Sequence, residues 1–83
     1  MSDARYRQAV LDALAEIAPE ADLGSLPGDA SMQRELDIDS MDFLNLMAAL
    51  EESTGVAVPE AEYPRVATLD GCASFLAEHA GDY

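Results

Sequence analysis

Tyr6, Val10, Leu14 and Ile17 recur at steps of four, four and three, which aligns them on one face of an amphipathic helix running from Asp3 to Ala18. Pro19 ends it, because the residue ahead of a proline is pushed out of the helical region. The stretch from there to Asp39 holds Gly24, Pro27 and Gly28 and reads as a long loop. Its Leu23, Leu26, Leu36 and Ile38 are expected to turn inward and tie the loop to the core.

The sequence Asp39-Ser40-Met41-Asp42 precedes a strongly helical run, Phe43 through Thr54, and Gly55 supplies the left-handed residue that commonly stops a helix. Asp39 and Asp42 have the spacing of a capping box, and both carboxylates favour the positive end of the helix dipole. This second helix carries apolar residues around most of its circumference. With Phe43, Leu46, Met47 and Leu50 turned inward, Met41, Leu44 and Ala48 share another side at i, i+3 and i+7. Packing within a small core accounts for most of that surplus; Met41, in the first turn, is the residue least easily covered.

Val56 to Pro59 is short and has no partner run, so it reads as a loop. Pro59 to Tyr63 can form only a short, weak third helix, since Pro59 suits a first helical position and Pro64 forbids continuation. Thr68 can cap the last helix, in which Leu69, Cys72, Phe75 and Leu76 or His79 follow at three- and four-residue steps, with Gly81 beyond its end. The expected fold is all-α: a small four-helix bundle with three main helices, one short third helix and a long loop after helix one. It spans residues 1–83 as one domain.

Composition narrows the function. Seventeen acidic residues against four arginines give a net charge of -13 on 83 residues. Such a surface repels phosphate backbones and anionic head groups, so nucleic acid and membrane are excluded as partners and basic protein patches are favoured. The acid is polarised: eight carboxylates and no basic residue lie between Glu35 and Pro64. No apolar run approaches the roughly 20 residues of a membrane span, and Met1-Ser2-Asp3 opens no targeting segment, so a cytoplasmic monomer is expected. A chain of this size removes only roughly 60% of its unfolded surface from water. Cys72 is the sole cysteine, so packing and not a disulfide must hold the fold.

Ser40 is the one chemical handle. With Asp39 as the cap, its hydroxyl falls in the first helical turn among free backbone amides at the positive pole of the dipole, a place that tolerates an attached phosphate diester. A serine at a helix start is most often only a cap, so its neighbours must decide. Cys72 reads as a small buried filler, His79 as a complement to the dipole of the last helix, and Tyr6, Tyr63 and Phe75 as core.

Those neighbours carry a resemblance. The run Glu35-Leu36-Asp37-Ile38-Asp39-Ser40-Met41-Asp42-Phe43-Leu44, followed by Leu50-Glu51-Glu52-Ser53-Thr54-Gly55-Val56 and Val58-Pro59, resembles acyl carrier proteins and their peptidyl carrier relatives, with motif-level likeness over roughly residues 35 to 76. The resemblance implies that Ser40 carries covalent 4′-phosphopantetheine, donated from coenzyme A by a phosphopantetheinyl transferase with magnesium. It further implies a carrier that catalyses nothing, holding acyl groups as thioesters on the cofactor's thiol for fatty-acid, polyketide or nonribosomal-peptide enzymes. Asp39, Met41, Asp42, Leu44, Glu51 and Glu52 would form the surface read by basic acyl-loading and acyl-processing enzymes. Met41 replaces the usual leucine, Asn45 stands where an acid is frequent, and Phe43 is bulkier than the common residue. Glu62-Tyr63-Pro64-Arg65 resembles specialised or secondary-metabolism carriers more than those of primary fatty acid synthesis.

Three other readings are weaker. Asp37-Ile38-Asp39 opens like a calcium loop, but Asp42 stands where glycine is required and Ala48 where a bidentate Glu is required, so no metal site is expected. An unmodified acidic adaptor docking through helix two would have no use for an outward serine. An enzymatic reading lacks a base placed near Ser40 in sequence. A peptidyl or aminoacyl carrier remains the alternative within the family.

Overall fold

The first helix, α1 (Asp3–Ile17), buries one stripe: Val10 and Leu14 are fully enclosed, Ala13 nearly so, and Tyr6 and Ile17 pack half-buried against the same core. A computed structural model describes residues 3–80. After a 3-10 turn at Leu23–Ser25 come a short helix α2 (Met32–Leu36), a long helix α3 (Ser40–Thr54), a second 3-10 turn at Glu60–Glu62, and α4 (Leu69–Ala80). The helix expected from Phe43 to Thr54 is α3, and α1 packs against both α3 and α4. Among the described residues there is no strand, only one isolated bridge between Ser31 and Thr68. No described helix is long and apolar enough to cross a membrane.

The inward set of α3 is Phe43, Leu46, Met47 and Leu50, as its spacing requires. Gly55, at φ 78°, closes the helix by donating its amide to the Glu51 carbonyl at 2.9 Å. Thr68 caps α4 by accepting from the Gly71 amide at 3.0 Å, and the interior of α4 is Leu69, Cys72, Ala73, Phe75 and Leu76. Gly81, expected to follow α4, lies outside the described residues, as do Met1 and Ser2.

The long connection holds more structure than its composition suggests. Ser31 caps α2 by accepting from the Arg34 amide at 3.3 Å, and Met32 is sealed in the core. A helix of five residues is too short to show periodicity, which is why it reads as loop. Backbone bonds then fasten the connection to the start of α4: the Met32 amide donates to the Ala67 carbonyl and the Asp70 amide to the Gly28 carbonyl, each at 2.9 Å. An ion pair from Arg7 of α1 to Asp70 reinforces this clasp. Ile38 is buried, whereas Leu23, Leu26 and Leu36 pack half-buried against the core. The segment expected as a short third helix is the single 3-10 turn at Glu60–Glu62, closed by the Tyr63 amide donating to the Glu60 carbonyl at 3.0 Å.

Candidate functional site

Two residues set where Ser40 stands. Asp37 ends α2 in the left-handed region at φ 55°, and the Ile38 amide reaches back to the Gln33 carbonyl at 3.1 Å. Ile38 is then pinned into the core, so only one residue, Asp39, separates the pin from the first turn of α3. The Asp39 carboxylate accepts from the Asp42 amide at 2.9 Å, which is one half of the capping box. Backbone geometry leaves the amides of Ser40 and Met41 without intrahelical acceptors. Ser40 itself is exposed.

Of the remaining residues singled out in the sequence, Asp39, Met41, Asp42 and Leu44 stand at or near this tip, whereas Glu51 and Glu52 lie near the other end of α3. Asp39 is exposed and Asp42 half-buried; Glu51 and Glu52 are exposed at the far end of α3. Met41 at 66% and Leu44 at 45% are the exposed large hydrophobic residues of the described chain. Met41, Leu44 and Ala48 lie at helical spacing and lead toward Glu51 and Glu52, so an apolar stripe with acidic ends runs along the outer side of α3.

A cleft of about 360 Å³ opens beside Ser40. Ser40, Phe43 and Leu44 form its α3 wall, Gln33 of α2 stands on one rim, and Glu60, Tyr63, Pro64 and Ala67 complete it from the second 3-10 turn and the segment after it. Tyr63 therefore has two roles: half-buried against the core, edge-on to Phe43 at a ring separation of 5.3 Å, and facing the cleft. Sequence reasoning linked Ser40 to its neighbours on α3 and missed Gln33, Glu60, Pro64 and Ala67 as companions. These come from separate segments, and no local pattern announces that they meet.

The chain's own thiol lies elsewhere. Cys72 is fully buried in α4, and burial pushes its pKa up to about 12, so it stays protonated and unreactive near neutral pH. His79, exposed in the last turn of α4, stacks on Phe75 at 4.1 Å.

Chemically, an exposed hydroxyl at a capped helix start, with free amides and adjoining open space, fits a phosphodiester-linked arm. The carboxylates of Asp39 and Asp42 oppose the incoming phosphate, and the amides and helix dipole favour it.

Comparison with known proteins agrees with this chemistry. Residues 8–76 match the family described as "Phosphopantetheine attachment site". An acyl carrier protein of Rubrobacter xylanophilus is 28% identical over 76 residues, 88% of this chain and 94% of the relative. The polyketide-8 synthase acyl carrier protein 2 of Streptomyces avermitilis is 32% identical over 78 residues, 94% and 84% of the two chains. An acyl carrier protein of Streptomyces coelicolor is 33% identical over 67 residues, 81% and 73%.

Proposed function

This chain belongs to the acyl carrier proteins that bear phosphopantetheine, and from that membership we propose that Ser40 is the residue to which the arm is attached. The protein is a carrier and not a catalyst: when bound, the cofactor supplies a thiol that holds an acyl group as a thioester while biosynthetic enzymes act on it. The observation that carries the assignment is the exposed position of Ser40 in the first turn of a helix already capped by Asp39. Because Asp39 does the capping, the Ser40 hydroxyl is free for chemistry.

What the chain's residues contribute is placement. Ile38 anchors the elbow, Asp39 fixes the turn, and the amides of Ser40 and Met41, which have no intrahelical acceptors, would be available to an attached phosphate. Attachment would come from coenzyme A through a phosphopantetheinyl transferase that uses magnesium, the metal offsetting repulsion from Asp39 and Asp42. Partner enzymes with basic patches would read Asp39, Asp42, Glu51 and Glu52 around the apolar contacts Met41 and Leu44. The pathway is a specialised one, a reading supported by likeness to a polyketide synthase carrier and by the turn at Glu62–Arg65, where the Arg65 amide donates to the Glu62 carbonyl at 3.0 Å; the compartment proposed is the cytoplasm.

The test is to incubate the protein with coenzyme A, magnesium and a broad-specificity transferase and to weigh the product. The expected outcome is one cofactor mass added to the parent and none to Ser40→Ala, with Ser40→Ala unchanged in stability to within about 0.5 kcal/mol. Cofactor mass retained by Ser40→Ala would overturn the assignment.

A further inference from the structure

Three methionines fall within the described residues, and the fold treats them in opposite ways. Met32, in α2, is fully enclosed and Met47, on the inward face of α3, is 5% exposed, whereas Met41 is 66% exposed, the most open large hydrophobic side chain described. Its place in the first turn explains the difference. Helical side chains lean toward the N terminus, so Met41 leans past the last turn that could cover it. Of its neighbours one turn on, Leu44 is itself 45% exposed and Asn45 is exposed. A leucine in that place would fill nearly the same volume without carrying a sulfur. The chain thus presents a bare thioether one residue from Ser40, at the head of the apolar stripe along α3.

We propose that Met41 is an oxidation site through which peroxides regulate the carrier: its sulfoxide closes the α3 tip to the enzyme that loads the arm, and reduction reopens it. The inference rests on the reading of Ser40 as the attachment point, with Met41 in the surface that partner enzymes read. In the forward step a sulfur lone pair forms an S–O bond with one oxygen of hydrogen peroxide and the O–O bond breaks. The departing hydroxide takes the proton of the transferred oxygen and leaves as water, so the sulfur loses the two electrons that the peroxide gains. In the return step a dithiol, acting through methionine sulfoxide reductases, removes the oxygen as water and becomes a disulfide. Hydrogen peroxide is neutral, so the carboxylates of Asp39 and Asp42 beside Met41 do not repel it. The sulfoxide replaces an apolar contact with a strong acceptor, which a partner's apolar pocket can cover only by leaving that oxygen unpaired. Cys72, sealed in α4, does not compete for the oxidant.

The experiment treats the protein with hydrogen peroxide before any cofactor is attached, removes the peroxide, and takes two readings. Proteolysis with peptide fragmentation should find sulfoxide forming at Met41 at least tenfold faster than at Met32 or Met47, which react only when the bundle opens. With coenzyme A, magnesium and a broad-specificity transferase at subsaturating carrier, the Met41 sulfoxide should gain the cofactor mass about tenfold more slowly than the untreated parent, the effect of losing one strong contact. The thermal midpoint should stay unchanged, so that the loss is one of docking and not of folding. Methionine sulfoxide reductases for both epimers, with dithiothreitol, should restore the parent rate. Met41→Leu, whatever its own rate, should load equally fast before and after peroxide, which assigns the loss to this sulfur and not to Met1, outside the described residues.

Sulfoxide forming at Met32 or Met47 as fast as at Met41 would overturn the inference, as would a fallen thermal midpoint, a loss that the reductases do not reverse, or a Met41→Leu protein that peroxide slows to the same degree. Mass measurement on untreated protein separates the two levels. If the untreated parent fails to load, or Ser40→Ala loads, the attachment reading fails and this inference falls with it. If the untreated parent loads on Ser40 and its Met41 sulfoxide loads just as fast, only the inference fails.

Discussion

The first turn of α3 and the middle of α4 each present a side chain that could act as a nucleophile, and the two environments are opposites. Ser40 is exposed, beside free amides and an open cleft. Cys72 is sealed among core residues, its pKa raised to about 12 by burial. By intrinsic reactivity the thiol is the better group. The fold reverses that ranking by access alone: α4 spends its nucleophile as a space-filler, and α3 holds the weaker one where an enzyme can reach it. The carrier's reactive thiol must accordingly belong to the cofactor, which lets it travel between partners.

Exchanging the two environments breaks the comparison most directly. A thiol introduced by Ser40→Cys should react with an alkylating reagent near neutral pH on the order of a thousandfold faster than native Cys72, which reacts only when the bundle opens. Alkylation rates followed by mass spectrometry give the ratio; similar rates would mean that α4 does not protect its thiol.

Alkaline pH probes the same burial. The folded-state pKa of Cys72 lies above its ordinary value of 9.0, so the unfolded chain gives up the proton first. The associated stability is fully present below pH 9.0 and is lost as pH rises toward about 12. Relative to Cys72→Ala, which cancels every other titrating group, the parent should lose on the order of 3 kcal/mol over that window. Parallel urea midpoints for the two proteins would contradict it.

Tightness around α4 should also show at Gly71, where a Cβ would meet the Arg65 carbonyl oxygen at 2.2 Å. Gly71→Ala should therefore cost about 1–3 kcal/mol in spite of alanine's higher helix propensity. That lowers Tm by roughly 4–8 °C for each kcal/mol. At the α3 tip the corresponding sensitivity lies in the cap: Asp39→Ala should cost about 1 kcal/mol and Asp39→Asn much less, read from denaturant midpoints.

Legibility in the sequence follows the length of the element. The helices α1, α3 and α4 each repeat their apolar spacing over three turns or more, so Val10, Leu14, Leu46, Leu50 and Cys72 could be assigned to the interior in advance. At α3 the cap and stop were legible too, because Asp39 and Gly55 act through their own backbone neighbourhood. The helix α2 was not, since five residues complete little more than one turn and only Ser31 marks its start. The cleft was least legible of all. Ser40 stands out locally, but Gln33 and Tyr63 join it from separate segments, brought near by a clasp in which Met32 bonds to Ala67 and Asp70 to Gly28.

The central claim, that the open, capped first turn of α3 and not intrinsic reactivity marks the residue that takes the cofactor, is tested most directly by locating the cofactor on the unaltered protein. After treatment with coenzyme A, magnesium and a transferase, proteolysis and peptide fragmentation should place the added mass on Ser40 alone and leave the Cys72 peptide unmodified until the chain is denatured and alkylated. Cofactor mass on any other serine, or on Cys72, would contradict the account.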